Sequence, residues 1–350
     1  MNFASDNTAG IAPAILDAIA RANDGFAPGY GDDATTKDVE RRLSELFERE
    51  VAAFLVPTGT AANALAIAQI TPPWGAVLCH AECHLAVDEC GAPEFFGGGL
   101  KLVGLPGEAC KLGAGTVAAA LGRGPWGGPH HVTAAALTLT QATEAGTIYR
   151  PDEIRGLCEI AHRHGLAVHV DGARFGNALA RLNVTPAEAT WKAGVDVMSF
   201  GATKAGALAA EAVVFFDPGR ATAMSERRKR SGHLVSKHRF LAAQFEAYLA
   251  DDLWLALARH ANQMADRLAD GLASAGLRPV WPVEANEVFI ALPPVARRRL
   301  RAAGASYHRW STRSLPPDLT VDAADLVRLV TSFATTVDQV DRFVAVAAAA

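Results

Sequence analysis

Short apolar runs and stretches of helical spacing take turns along this chain. The runs at residues 51–56, 76–79, 100–105, 132–140, 165–170, 194–200 and 211–217 lack the strict polar alternation of a half-exposed strand. Strands buried on both faces read this way. Between them, Pro13 opens a helical stretch that runs to about Asn23, and residues 37–50 place Val39, Leu43, Leu46 and Phe47 on one face. Residues 61–70 form an alanine-rich helix, and Pro151 starts another that runs to His164; proline at a first helical position and apolar residues three and four apart are the signals used. Strands alternating with helices over this distance predict an α/β architecture, a mostly parallel sheet covered on both faces.

The pattern changes after about Ser236. Helical spacing continues to Ala275, broken near Asp251-Asp252, and short strands follow near residues 288–292 and 326–331, with helices between and after. A long helical stretch of this kind commonly joins a large domain to a small one, so a small α+β domain is expected at the C-terminal end. The alanine-rich tail from Val344 to Ala350 is expected to be the frayed end of the last helix.

Composition narrows the class. With 350 residues, half of them hydrophobic, the chain can form one large domain and a smaller one. A formal net charge of −4 gives no sign of a nucleic-acid partner. No basic region followed by an apolar core opens the chain, since Asp6 and Asp17 interrupt it, and the other apolar runs are too short for a bilayer. A soluble, cytoplasmic protein with no membrane partner is expected. The five cysteines are odd in number and scattered, so reduced thiols are expected. The cluster Cys79-His80-Ala81-Glu82-Cys83-His84 lacks a second ligand pair at matching spacing, and no metal site is expected there.

The candidate chemistry sits where apolar runs stop. Residues 165–170 end in Asp171-Gly172, and residues 194–200 lead into Gly201-Ala202-Thr203-Lys204-Ala205-Gly206. Two neighbouring parallel strands would present an acid and a lysine at their carboxyl ends, where open α/β sheets bind ligands. Such a pair suits pyridoxal phosphate: the amine can condense with an aldehyde, and the carboxylate can pair with a protonated pyridine nitrogen. Taken singly, Asp171 also reads as a helix N-cap and Lys204 as a solvated loop lysine. The run at 51–56, the turn Pro57-Thr58-Gly59-Thr60 and the helix after it would make an anion cradle from free backbone N–H groups, a seat for a phosphate.

Further motifs are spread from end to end: Ser5-Asp6-Asn7, Tyr30-Gly31-Asp32-Asp33, Thr58-Gly59-Thr60-Ala61-Ala62-Asn63, His84 with Asp88-Glu89-Cys90-Gly91-Ala92-Pro93-Glu94, residues 169–174, Thr203-Lys204, and Val327-Arg328-Leu329-Val330-Thr331. Together, and in this order, they resemble the low-specificity L-threonine aldolases, pyridoxal phosphate enzymes of the aspartate-aminotransferase-like fold (fold type I). That resemblance implies an N-terminal segment, 1–12, contributing to the active site; a large cofactor-binding domain, 13–240; and a linking helix with a small C-terminal domain, 241–350. It implies that Lys204 carries the cofactor covalently, that Asp171 faces the pyridine nitrogen, and that His84 stacks on the ring. Gly59, Thr60 and Ala61 would hold the phosphate, with Arg174 and Thr203 also at the cofactor. Ser5, Arg174 and Arg328 would hold a substrate carboxylate, a task that suits the guanidinium fork.

The activity so implied is cleavage of L-3-hydroxy-α-amino acids (L-threonine, L-allo-threonine, phenylserine) to glycine and an aldehyde, in a homodimer or homotetramer with shared active sites. Two positions depart from the family pattern. Ala205 stands where the nearest branch has asparagine, and Glu144 takes the place of a histidine, so Glu144, His84 or a water would act on the β-hydroxyl. Residues 227–230, with Lys237 and Arg239, resemble a segment that reaches the cofactor phosphate of a neighbouring subunit; on composition alone the run reads as a solvated basic helix face. The competing readings are a β-eliminating lyase of the same fold and a non-enzymatic cofactor-binding regulator. The regulator would need a further domain, for which the stretch ahead of Ser5 leaves no room.

Overall fold

In the computed structural model, which describes residues 1–349 apart from 314, 316–321, 323 and 324, the apolar runs pair into one seven-stranded sheet. Its strands are β1 (Ala52–Val56), β2 (Gly75–His80), β3 (Lys101–Leu105), β4 (Thr133–Thr140), β5 (Ala167–Gly172), β6 (Val197–Gly201) and β7 (Glu211–Phe215). They lie in the order β1-β7-β6-β5-β4-β2-β3. Strands β2 to β6 pair in parallel, and β7 is antiparallel to both of its neighbours, so β1 again points the same way as the rest. The carboxyl ends of six strands and the amino end of β7 therefore open on one edge of the sheet, where α/β folds hold ligands.

Burial explains why these strands do not alternate. Every residue of β2, β5, β6 and β7 is buried, so both faces must be apolar or hydrogen-bonded. The helix Gly59–Ile70 is buried continuously from Ala61 to Ala68, which accounts for its small residues and its lack of a polar face. Asn63 is the one polar side chain in that buried span. Behind β6, Phe200 is surrounded by rings: Trp254 at 5.5 Å, Phe175 and Phe245 at 5.9 Å, Phe47 and Tyr248 at 6.1 Å between centroids. Edge and tilted contacts of this sort each add about 0.5–1.5 kcal/mol beyond area burial. They fix β6 just ahead of the turn that carries Lys204.

A second, antiparallel sheet is formed by β8 (Glu287–Ala291), β9 (His308–Arg309) and β10 (Leu326–Val330), in the order β8-β10-β9. The helical stretch predicted from 236 to 275 is two helices, Arg239–Leu249 and Leu253–Ser274, parted at Asp251 and Asp252, which both adopt left-handed backbone (φ 50 and 53). The longer helix serves both cores, with Trp254 in the large one and Leu268 and Leu272 in the small one beside Val288, Ile290, Val327, Leu329 and Phe343. Phe3 is fully buried in that small core. Its backbone donates to Ser306 and accepts from Val330, which ties the first residues of the chain beside β10 and leads Ser5 and Asp6 to the open edge of the large sheet.

One expectation is corrected. The tail is no frayed end: the helix Val337–Ala348 starts with a capping box between Thr336 and Gln339, and Ala347 is buried in the small core. Ala350 lies outside the described residues. Among the described residues, no helix is long and apolar enough to cross a membrane.

Candidate active site

The open edge of the large sheet bounds a cavity of about 670 Å³. Lys204 enters it from the 3-10 turn Thr203–Ala205, which follows β6 and ends at Gly206. Gly206 has φ +116, and a Cβ there would lie 3.0 Å from that of Ala12, so only glycine closes this turn without strain. Asp171, near the end of β5, pairs with Ser199 of β6. It is buried, and both carboxylate oxygens are engaged: Oδ1 accepts from the Ala173 N–H at 3.0 Å and Oδ2 from Asn63 Nδ2 at 2.9 Å. Gly59 and Thr60 form the first turn of the helix capped by Thr58, and both line the cavity. Amides in a first helical turn have no partner within the helix, and a Cβ on Gly59 would meet open space.

His84 and Glu144 come from two other strand ends. One Glu144 oxygen accepts the backbone N–H of His84 at 2.9 Å, and Oε2 is buried without a hydrogen-bond partner. Burial pushes this carboxyl up to about 7. Unfolded, it would ionise near 4.5, so between those two values unfolding releases a proton. Stability from this group is therefore undiminished at acid pH, falls as pH rises from about 4.5 to 7, and is fully lost above 7, an effect of order 3 kcal/mol. Glu144→Gln keeps the acceptor for His84 and removes the ionisation. In thermal unfolding of the ligand-free chain, we expect it to melt several degrees above the parent at pH 8 and with the parent at pH 4. Equal melting at both pH values would show that Glu144 ionises normally.

Two arginines occupy the side of the cavity nearest the small sheet. Arg174 donates to both oxygens of Asp6, at 2.8 and 3.1 Å, and pairs with Glu287 at 3.4 Å. Burial alone would lower its pKa, but Asp6 and then Glu287 outweigh that and hold it well above the usual arginine range. Arg328, on β10, lies 3.7 Å from Glu287 and stacks on the Trp310 ring at 4.3 Å, with its Nε buried and unpartnered. Asp6 is buried with Asn286 as a second donor at 3.1 Å. Arg174 is thus held by two carboxylates, whereas Arg328 keeps hydrogen-bonding capacity for a ligand.

Ser5, Gly59, Thr60, His84, Glu144, Asp171, Arg174, Thr203, Lys204 and Arg328 all line this cavity. Ala61 does not: its N–H is taken by Thr58 Oγ1 at 3.1 Å and its side chain is buried in the core. Ala205 packs against the large core, outside the cavity lining. The basic run does not reach the cavity of its own chain. Arg228 is buried, donating to the Leu55 carbonyl at 3.2 Å, Arg227 bonds Gln69 at 2.8 Å, and Lys229 lies over the Tyr30 ring. The run is a solvated basic face at Arg227, Lys229 and Arg230, which are exposed, and departs from that description at the buried Arg228. The sequence alone assigns no role to Asp6, Asn63, Glu89 and Glu287, although all but Glu287 fall inside motifs. Glu287 is marked in the sequence by being an acid that opens an otherwise apolar strand.

A lysine and an acid at adjacent parallel strand ends, facing a helix amino terminus, place the chain in the aspartate-aminotransferase-like α/β class. The fold is shared with Sphingomonas wittichii serine palmitoyltransferase (TM-score 0.71, 16% identity, 99% of this chain and 86% of that one). It is shared more closely with a Leishmania major threonine aldolase (TM-score 0.90, 30% identity, 99% of this chain and 98% of that one). The sequence pattern of the beta-eliminating lyases matches residues 2–293, and the chain belongs to that family. It is 44% identical to the low specificity L-threonine aldolase of Pseudomonas aeruginosa over 88% of this chain and 89% of that one.

Proposed function

We propose that the protein is a pyridoxal phosphate-dependent aldolase that cleaves L-3-hydroxy-α-amino acids of the threonine, allo-threonine and phenylserine type into glycine and an aldehyde. The observation that carries this reading is a single cavity with cofactor-type groups at one side and a carboxylate clamp at the other. The residues fit the cofactor. Among the described residues the Lys204 amine has no hydrogen bond, Asp171 offers a buried negative charge, and the Gly59 and Thr60 amides beside open space suit a phosphate. His84, with half-exposed imidazole, would lie against the ring. When bound, the cofactor supplies an electron sink for negative charge at Cα.

The rest is the work of this chain's side chains. Arg328, with Ser5 and Arg174 beside it, would hold the substrate carboxylate and so fix which bond at Cα is presented for cleavage. His84 accepts the proton of the β-hydroxyl as the Cα–Cβ bond breaks. Glu144, with a carboxyl that titrates near neutral pH, holds or returns a proton beside it. Its placement supports a direct part for Glu144 where the family pattern has histidine. A homodimer or homotetramer with shared sites completes the proposal; the exposed Phe26 and Tyr30, in a loop next to the basic helix, support a subunit contact there.

The test is aldehyde release from a panel of 3-hydroxy amino acids by the cofactor-loaded protein. L-phenylserine is expected to yield benzaldehyde and glycine in equal amounts. Release of ammonia without benzaldehyde would contradict the proposal.

A further inference from the structure

Glu89 lies beneath the cavity with a side chain that is 0% exposed, and nothing in the proposed reaction has used it. We propose that Glu89 is a positioning residue that holds His84 with Nδ1 protonated and Nε2 turned to the cavity, and that Asn63 ties this pair to Asp171. The inference rests on the aldolase reading for its chemistry and on distances for its geometry. Glu89 Oε1 lies 2.8 Å from His84 Nδ1 and 2.8 Å from Asn63 Nδ2. The same Asn63 nitrogen lies 2.9 Å from Asp171 Oδ2.

The donors and acceptors can be assigned from this arrangement. Asn63 faces two carboxylates at once, and only its NH₂ group has two hydrogens to give; turned round, its oxygen would oppose both. Both carboxylates therefore accept. With Glu89 ionised, Oε1 accepts both contacts and the remaining one is donated by His84 Nδ1–H; burial raises the Glu89 carboxyl, as does Asp171 nearby, while the hydrogen bonds from His84 and Asn63 lower it. Nε2, which makes no hydrogen bond among the described residues, is the nitrogen left to the cavity that His84 lines.

This arrangement gives Nε2 a free lone pair where a substrate hydroxyl can meet it. The proton that leaves the β-hydroxyl moves to Nε2, and the imidazolium formed stays paired through Nδ1–H with the Glu89 carboxylate. The charged groups around the ring are Glu89 and Asp171, which favour the cation, and Lys204, which opposes it. The hydrogen bond to Glu89 is the largest influence, and the imidazole is held above its ordinary value. Asn63 fixes the spacing of the two carboxylates, so the acid at the cofactor ring and the acid behind the base form one buried unit.

Glu89→Gln is the test, read in two ways. In the cofactor-free chain labelled with ¹⁵N-histidine, with His84→Asn used to assign the signal, His84 is expected to titrate above an ordinary histidine in the parent and to fall to or below it in Glu89→Gln, losing its preference for the Nδ1–H tautomer. In the loaded enzyme the same change is expected to lower kcat by about 10- to 100-fold, with KM within about threefold and the acid limb of the pH profile moved down. Glu89→Asp, which keeps the charge one methylene short, is expected to fall between the two. It replaces Glu89→Gln as the test if that variant does not fold. An unchanged titration and pH profile in the folded variant overturns the proposal. The titration needs no substrate, so a shift with no glycine formed from any 3-hydroxy amino acid would keep the Glu89–His84 pair and remove the aldolase reading.

Discussion

Lys204→Ala is expected to lose the visible chromophore of the bound cofactor and to cleave L-threonine roughly four to six orders of magnitude more slowly than the parent, the scale seen when a covalent catalytic group is removed. The fold should survive. Lys204 sits in a turn set by Phe200 packing before it and Gly206 after it, and its amine makes no hydrogen bond among the described residues. Far-UV circular dichroism and melting of the ligand-free variant are therefore expected to match the parent. Borohydride reduction of the parent should fix the cofactor to the peptide containing Lys204. Label recovered on another lysine would remove Lys204 from its role.

Asp171→Asn is the second large effect. Its shape is nearly that of aspartate and one oxygen can still serve Asn63 or the Ala173 N–H, while its NH₂ faces the other, now unpaired, donor, so the expected cost to stability is about 1–3 kcal/mol. What disappears is the buried charge available to a protonated pyridine nitrogen. Loss of a preorganised electrostatic partner of this kind costs about 10²- to 10³-fold for a single donor in a well-studied case. A full charge at the electron sink is expected to cost more, several orders of magnitude in kcat. Cofactor retention should persist through Lys204 and the first turn of the helix Gly59–Ile70. Near-normal turnover by Asp171→Asn with cofactor bound would mean that another group faces the ring.

The reason these two residues could be read from sequence is physical. A strand buried on both faces is apolar except where its side chains hydrogen-bond internally, as His169 does with Thr138 and Ser199, so what marks Asp171 and Lys204 is their place where the runs of β5 and β6 give way to loops of small residues. The break at Asp251-Asp252 was legible in the same way, as two short acids inside a helical pattern. Elements too short to show a period were not: the helices His84–Val87 and Ala92–Phe96 span about one turn each.

Residues whose purpose is set by a distant partner were also hidden. Arg174 and Arg328 are visible as arginines, but their sharing of Glu287, and the pairing of Arg174 with Asp6 across 168 positions, depend on the fold. Arg228 looks like one of four exposed charges. Its burial against the Leu55 carbonyl and over the Phe54 ring follows from where the helix Met224–Arg230 meets β1. Glu89 is five residues from His84, yet its link to Asp171 runs through Asn63 on another helix.

The sharpest test of the central claim separates carbon–carbon cleavage from β-elimination, since a beta-eliminating family pattern covers most of the chain and both reactions would use Lys204 and Asp171. Elimination takes the Cα proton and expels the β-hydroxyl; retro-aldol cleavage takes the hydroxyl proton and breaks Cα–Cβ. The purified, cofactor-loaded enzyme should be given L-threonine alone and all products quantified. The proposed function predicts glycine and acetaldehyde in equal amounts. Formation of 2-oxobutyrate and ammonia, with no glycine, would contradict it.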